Sequence, residues 1–285
     1  PKSIQALVIA RIKILSRLRS DDHANAQDGK FRYRQHGAEV DVRVSIVPIS
    51  GGEKIVMRLL AADSRFLDLA TLGLNDELQA QIKRIAARTT GMILSTGPTG
   101  SGKTSTMYAI IQHINRREVN ISTIEDPVEY SVVGVNQIQV NRNSNLNFAA
   151  GLRALVRQDP DVILVGEIRD DETADIAVNA ALAGHLVLST MHTNSAATTV
   201  ARLVDMGTNA FVTATSVRAI IGQRLLRRLC PHCTKPKMMS VSDLKDKLPA
   251  HVIKMLFGRK KKMSIHEAVG CELCHNNGYR GRTGV

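Results

Sequence analysis

Residues 97–104 read Gly97-Pro98-Thr99-Gly100-Ser101-Gly102-Lys103-Thr104, a spacing of glycines, hydroxyls and one lysine suited to holding a polyphosphate. The glycines let backbone N–H groups converge on phosphate oxygens, and a helix starting there adds its partial positive charge. Lys103 can reach the β- and γ-phosphates of ATP, and the Thr104 hydroxyl can ligate Mg²⁺. With Ser105 added, Gly97–Ser105 is the candidate nucleotide-binding stretch. An apolar run, Met92 to Ser95, precedes it, and Met107, Ile110, Ile111 and Ile114 follow at helical spacing, which is the strand-loop-helix context such a loop needs. The bland alternative is an ordinary glycine-rich turn, which requires neither flank.

Hydrolysis also needs carboxylates for the metal and for the attacking water. Asp159-Pro160-Asp161-Val162-Ile163-Leu164-Val165-Gly166-Glu167 ends an apolar strand on an acid, so Glu167 is the candidate Mg²⁺ partner. A second acidic cluster, Glu125-Asp126-Pro127-Val128-Glu129, follows the apolar run Ile121 to Ile124. If both runs are parallel strands, both clusters emerge at the C-terminal edge of one sheet, where open α/β folds bind ligands. Taken singly, each could be a solvated strand end.

The cysteines make a separate chemistry. All four fall in two pairs, Cys230-Pro231-His232-Cys233 and Cys271-Glu272-Leu273-Cys274. Two such knuckles can close a tetrahedral thiolate site around Zn²⁺ with no open position for catalysis. The intervening stretch 234–270 exceeds the about 15 to 20 residues of generic zinc modules, so free buried thiols stay as the alternative. Nothing in the sequence suggests export, which favours a metal site in a reducing compartment over a disulfide framework.

The elements that must position these groups divide the chain. Ile4, Leu7, Val8, Ile12 and Leu15 predict an amphipathic helix over 2–18, Ser20 to Lys30 reads as a loop, and Val40, Val42, Val44 and Ile46 alternate as a half-buried strand. A turn at Ser50, Gly51 and Gly52 leads to a second strand, Ile55 to Leu60, giving an α+β N-terminal lobe. From Gly91 onward, apolar runs at 92–95, 121–124, 162–165 and 186–189 alternate with helical patterns, which predicts a mostly parallel sheet covered on both faces. One helix is expected from about Glu172 to Gly184, another capped by Asn194 and ended by Gly207, and a last helical pattern from Val217 through Leu226 to Cys230.

Composition narrows the partners. The net charge of +12 suits nucleic acid, anionic lipid or nucleotide phosphate alike, but aromatics are 3% and tryptophan is absent, which leaves few platforms for stacking single-stranded nucleic acid. No apolar stretch approaches the roughly 18 to 20 residues of a spanning helix, and no signal-peptide pattern opens the chain. Its start at Pro1 suggests an excised fragment.

Four ordered motifs resemble a known family. Thr123-Ile124-Glu125-Asp126-Pro127-Val128-Glu129-Tyr130, Leu152-Arg153-Ala154-Leu155-Val156-Arg157-Gln158-Asp159-Pro160-Asp161, Gly166-Glu167-Ile168-Arg169-Asp170 and Ser189-Thr190-Met191-His192-Thr193-Asn194 are similar to the aspartate box, arginine-bearing helix, Walker B and histidine box of the secretion ATPase superfamily. The nearest branch is the hexameric ATPases of type II secretion and type IV pilus assembly, and the similarity runs from about residue 27 to the end. It implies a RecA-like ATPase domain, a homohexamer, and docking to an inner-membrane platform protein and a cytoplasmic docking protein, with the chain in the cytoplasm, peripheral on the inner membrane.

By the same resemblance, Glu167 binds the metal through water or polarises the attacking water, and Glu125 and Glu129 are further base or metal candidates. His192 senses the γ-phosphate; Arg43 and Arg58 reach the nucleotide from the N-terminal lobe; Arg153 and Arg157, four apart on one helix face, approach from another lobe or subunit. Surface ion pairing is the bland reading of these arginines, and a packed or surface residue that of the histidine. An inserted tetracysteine subdomain is typical of the secretion and assembly branch. Within it, Lys235, Lys237 and Arg259-Lys260-Lys261-Lys262 read as a solvated face, with anionic lipid or an acidic membrane partner as the sharper alternative. Relatives continue beyond Gly281–Val285 and carry a preceding domain, and Leu18 to Ala26 departs from the acidic, arginine-rich run expected there.

The sequence thus predicts residues 1–88 as an α+β lobe and linker, 89–229 as an α/β RecA-like P-loop ATPase domain, 230–274 as a zinc module and 275–285 as the start of a further segment. It predicts an ATP-hydrolysing motor with ATP, Mg²⁺ and Zn²⁺ as cofactors and no nucleic-acid partner. A nucleic-acid-stimulated P-loop motor and a nucleotide-dependent scaffold without turnover are the rival readings.

Overall fold

The computed structural model describes residues 2–35, 38–60, 68–129, 131–141, 144–245, 248–258 and 260–285; Tyr130 and Arg259 lie outside them. Helix α1 (Gln5–Leu15) is followed by β1 (Gln27–Gln35), β2 (Ala38–Ile49) and β3 (Gly52–Leu60), an antiparallel sheet in the order β1-β2-β3. Alternation along β2 puts Val42, Val44 and Ile46 on the buried face, against Ile12, Leu18 and Phe31, and leaves Arg43 and Ser45 on the other. Two expectations change here. The stretch read as a loop to Lys30 already enters β1 at Gln27, because Gln27↔Ile46 through Lys30↔Arg43 pair across the strands. That strand's start, Gln27 to Lys30, carries no apolar signal and is defined by backbone pairing, while Phe31 packs on the buried face further along. The apolar stripe of α1 is also not its buried face, since Leu7 is 71% exposed while Lys13 is fully buried. Lys13 is tolerated there because its ammonium lies 2.6 Å from Glu53 on β3 and donates to the Asp22 carbonyl at 2.8 Å.

The second unit begins with α2 (Asp76–Ala86), capped by the Asn75 side chain. It continues through β4 (Gly91–Thr96), α3 (Lys103–Ile114), β5 (Ile121–Glu125), β6 (Val135–Gln139), α4 (Phe148–Val156), β7 (Val162–Val165), α5 (Asp171–Ala183), β8 (Leu186–Met191), α6 (Ala196–Asp205), α7 (Ala210–Ser216) and β9 (Val217–Gly222). The strands form one all-parallel six-stranded sheet in the order β6-β5-β7-β8-β4-β9. Both faces are covered, as the unbroken apolar runs predict. Ile93, Ile121, Leu164 and Leu188 pack under α2 and α3, whereas Met92, Leu94, Ile163 and Val187 pack under α4, α5 and α6. Each fully buried aliphatic side chain contributes about 1.5–3 kcal/mol, so this double layer is the rigid part of the molecule.

Capping explains where the helices begin. Asp170 accepts from the Thr173 N–H at 2.8 Å to start α5, and Gly184 ends it. The helix expected to start at Asn194 is instead capped one residue later by Ser195, which accepts from Thr198. The helical pattern expected from Val217 to Cys230 is two strands, β9 and then β10 (Leu225–Leu229). Val217, Ile220 and Ile221 are β-branched, and the open edge of β4 offers a parallel ladder from Met92 to Thr96, which outweighs local helical periodicity.

The last unit adds β11 (Lys235–Ser240), α8 (Ala250–Phe257), β12 (Lys262–Glu267) and β13 (Tyr279–Gly284). Its strands pair as two antiparallel ribbons, β10 with β13 and β11 with β12. The molecule is therefore a mixed α/β protein built on a parallel sheet, with a small antiparallel sheet before it and a four-cysteine module after it.

Candidate active site

Register decides which loops meet. Thr96, the last residue of β4, pairs with Met191 of β8 and Gly222 of β9, while Val165 of β7 pairs with Ser189 and Ile124. All these strands run the same way, so the loops after Thr96, Glu125, Val165, Met191 and Gly222 leave from one edge. The Gly97–Thr104 loop, Glu167 and His192 are brought together there by the sheet.

Within the loop, Gly97, Gly100 and Gly102 have φ of +144°, +78° and +89°, left-handed values that a side chain disfavours. Lys103 opens α3, and its buried ammonium donates to the carbonyls of Gly97 at 2.8 Å and Pro98 at 3.1 Å. Burial lowers its pKa, nearby Glu167 opposes that shift, and Arg224 adds to it. Thr104 is exposed and Ser105 half-buried, whereas the buried Ser101 hydroxyl has no hydrogen-bond partner. An orphaned hydroxyl in a glycine-rich loop before a helix N-terminus fits an anion-binding loop.

Glu167 is mostly buried and sits 2.6 Å from Arg169 Nε and 3.5 Å from His192 Nε2. Its loop is clamped by the Thr190 hydroxyl, which donates to the Gly166 carbonyl at 2.8 Å, and by the Ile168 N–H, which donates to Thr190 O. Acid and imidazole are thus adjacent, one after β7 and one after β8.

The other candidates divide. Glu125 ends β5 on the α3 face, only 3% exposed, and accepts from the Tyr108 hydroxyl, from Thr123 at 2.6 Å and from Gln137 at 3.2 Å. Glu129 is held by Arg43, which also reaches the Val128 carbonyl at 3.4 Å, so this pair joins the N-terminal sheet to the parallel-sheet unit. Arg58 pairs opposite Arg43 on β3, and both line a cleft of about 410 Å³ with Asp126, Pro127 and Gln139. Arg153 and Arg157 are not brought to the phosphate loop. They sit on α4 and its C-cap, across the sheet from α3, where Arg153 pairs with Glu172 and both border a groove with Asp175 and Asn179.

Sequence reading missed Gln223 and Arg224. Arg224 follows strand β9, and its guanidinium donates to the Gln223 carbonyl at 2.9 Å and the Asn194 carbonyl at 2.6 Å. Only the pairing of β9 with β4 reveals this position, and that pairing has no local sequence signal.

The four cysteines converge. Sγ separations are 3.9 Å for Cys230 and Cys271, 3.8 Å for Cys233 and Cys274, and 3.7 Å for Cys271 and Cys274. A tetrahedral site with metal–sulfur bonds of about 2.3 Å needs edges near ~3.8 Å, so the donor set fits a thiolate-bound metal ion. Backbone N–H groups of Gly270 and Gly278 donate to Cys233 and Cys274 sulfur, the outer-shell support such sites use. Burial pushes the Cys233 thiol up to about 11, whereas at Cys274 donors from Cys271 and Gly278 overcome burial and hold it near about 6. The expected choice between a metal site and dispersed buried thiols is narrowed by this clustering.

A parallel sheet with a phosphate-type loop, an acid and an imidazole at one edge defines an α/β protein of the P-loop kind. The chain belongs to the type II/IV secretion system protein family, whose model matches residues 1–285. It is 48% identical over 284 residues to the type II secretion system protein E of Klebsiella pneumoniae, covering 100% of this chain and 55% of that protein. It is 45% identical over 286 residues to the type IV pilus assembly ATPase PilB of Myxococcus xanthus, covering 100% and 50%. The crystal structure of the pilus retraction motor PilT with bound ADP matches with a TM-score of 0.62 at 37% identity, over 72% of this chain and 60% of that one. The chain spans about half the length of the curated relatives it matches.

Proposed function

We propose that this chain is the ATP-hydrolysing core of a motor for type II secretion or type IV pilus assembly. The observation that carries the reading is the meeting of Lys103, Glu167 and His192 at one edge of the parallel sheet, in a chain whose relatives include named secretion and pilus ATPases. In this reading Gly97–Ser105 holds the triphosphate, and Lys103 exchanges two loop carbonyls for phosphate oxygens. Thr104 and Glu167 would hold Mg²⁺, which when bound polarises the γ-phosphoryl oxygens. Glu167 orients the attacking water, and His192, 3.5 Å from that acid, reports the γ-phosphate. Glu125 and Glu129 are the further carboxylates of this edge, Arg43 and Arg58 serve the nucleotide from the N-terminal sheet, and Arg153 and Arg157 act from a neighbouring subunit.

The division into an N-terminal lobe at 1–88, an ATPase domain at 89–229, a zinc module at 230–274 and a further segment from 275 belongs to this proposal. So does Zn²⁺ on Cys230, Cys233, Cys271 and Cys274, which the sulfur spacing supports. The assembly proposed is a homohexamer in the cytoplasm. It docks on an inner-membrane platform protein and a cytoplasmic docking protein, with anionic lipid contact through the basic module and no nucleic-acid partner. Among the described residues no helix is long and apolar enough to cross a membrane.

The test is phosphate release by the chain fused to a hexameric scaffold, compared with Lys103→Ala and Glu167→Gln, with and without DNA. Turnover lost in both variants and indifferent to DNA is expected. DNA-stimulated turnover would replace this reading with a nucleic-acid motor, and ATP binding without any turnover would replace it with a scaffold.

A further inference from the structure

Past β9, the segment Gly222-Gln223-Arg224 crosses directly behind the phosphate loop. The Gln223 N–H donates to Thr96 O at 2.9 Å, and its side-chain carbonyl accepts from the buried Thr106 hydroxyl at 2.7 Å. A Cβ at Gly97 would sit 2.4 Å from Gln223 O, and one at Gly102 would sit 2.8 Å from Gln223 Nε2. Gln223, 4% exposed, therefore touches the strand before the loop and Gly97 through its main chain, and Gly102 and the helix after the loop through its side-chain amide. Loop and amide are fitted to each other, because neither glycine could carry a side chain without displacing Gln223.

Arg224 extends the brace. Its backbone N–H and C=O both pair with Val285, which anchors the main chain, while the guanidinium forks between Gln223 O and Asn194 O. Asn194 lies two residues beyond His192, so one planar side chain spans the loop after β8 and the segment seated against Gly97. Its partners are neutral carbonyls, and among the described residues it has no carboxylate ion pair. A guanidinium suits such a span because its donors form a rigid fork, which an ammonium lacks.

We infer that Arg224 is a positioning residue: it locks the His192 loop to Gln223, the residue seated against the phosphate loop. The inference rests on the nucleotide reading above. Loss of Arg224 slows turnover before it weakens nucleotide binding.

The experiment measures ADP affinity, KM and kcat for the hexamer-fused chain and for Arg224→Ala, Arg224→Lys, His192→Ala and the double variant Arg224→Ala/His192→Ala. Arg224 is exposed, so these variants keep the core. Arg224→Ala is expected to lower kcat about tenfold with ADP affinity within about twofold, with little further loss when His192 is already absent. Arg224→Lys, which keeps the charge but not the fork, is expected to stay impaired. Additive losses in the double variant, or full activity in Arg224→Lys, would overturn the inference while leaving the nucleotide reading intact. Wild-type chain that binds no ADP would overturn that reading itself.

Discussion

The phosphate-loop edge and the cysteine knot both gather reactive side chains, but by opposite means. Lys103, Glu167 and His192 are far apart in sequence and meet because parallel strands in a doubly covered sheet end together. The cysteines come from two short knuckles closed by the β10–β13 and β11–β12 ribbons, and that module buries little apolar surface beyond Ile253 and Phe257. One site is a consequence of the core. The other has to supply its own.

By that contrast, removing the proposed metal ion from the module is the most damaging single change. Chelation, or Cys271→Ser, is expected to abolish the protease resistance of residues 230–285 while far-ultraviolet signal and melting of the parallel-sheet unit persist. Cleavage patterns followed by mass spectrometry check this, and an unchanged pattern would mean the module's own packing suffices. Next comes Lys103→Ala, expected to cost phosphate release a factor of about 10² to 10³. Its melting midpoint should hardly move, because among the described residues the ammonium's hydrogen bonds go to two loop carbonyls.

The N-terminal sheet offers an intermediate case, since its buried ammonium is satisfied by Glu53 and the Asp22 carbonyl. Lys13→Ala should destabilise that sheet by up to about 3 kcal/mol, by leaving the buried Glu53 carboxylate with the exposed His23 in place of its buried ammonium partner. Burial alone would raise the Glu53 carboxyl, but hydrogen bonds from Lys13 and His23 outweigh it and hold the group below its ordinary value. With the folded pKa the lower one, the unfolded chain binds more protons between the two values. The stabilisation is therefore complete above the ordinary carboxylate range near about 4.3 and is lost as pH falls through the folded value. A melting series against pH should show this acid-side loss in wild type and not in Glu53→Gln. A smaller effect on stability than at Lys13 is expected at Arg153→Ala, whose exposed pair with Glu172 contributes at most about 1 kcal/mol. A large loss of phosphate release there without loss of stability would show that this arginine serves a neighbouring subunit's nucleotide.

Much of the site was legible along the chain. The Gly97–Thr104 spacing, the apolar run ending near Glu167 and the paired CxxC knuckles are local patterns, because backbone torsion, strand burial and metal geometry each demand fixed residue types at fixed short intervals. Parallel-sheet strands were readable for the same reason, as burial on both faces leaves unbroken apolar runs. Strand β1 and the 217–229 segment were not, since their polar or mixed texture takes its form from partners elsewhere in the chain. Local pattern likewise put α1's apolar stripe inward, where the structure buries Lys13 against Glu53. By itself the sequence determined which residues could hold phosphate, acid and metal. Only the tertiary structure decided that Arg43 reaches Glu129, that Arg153 and Arg157 stand away from the phosphate loop, and that Gln223 and Arg224 brace it, because strand order and register have no signature in neighbouring residues.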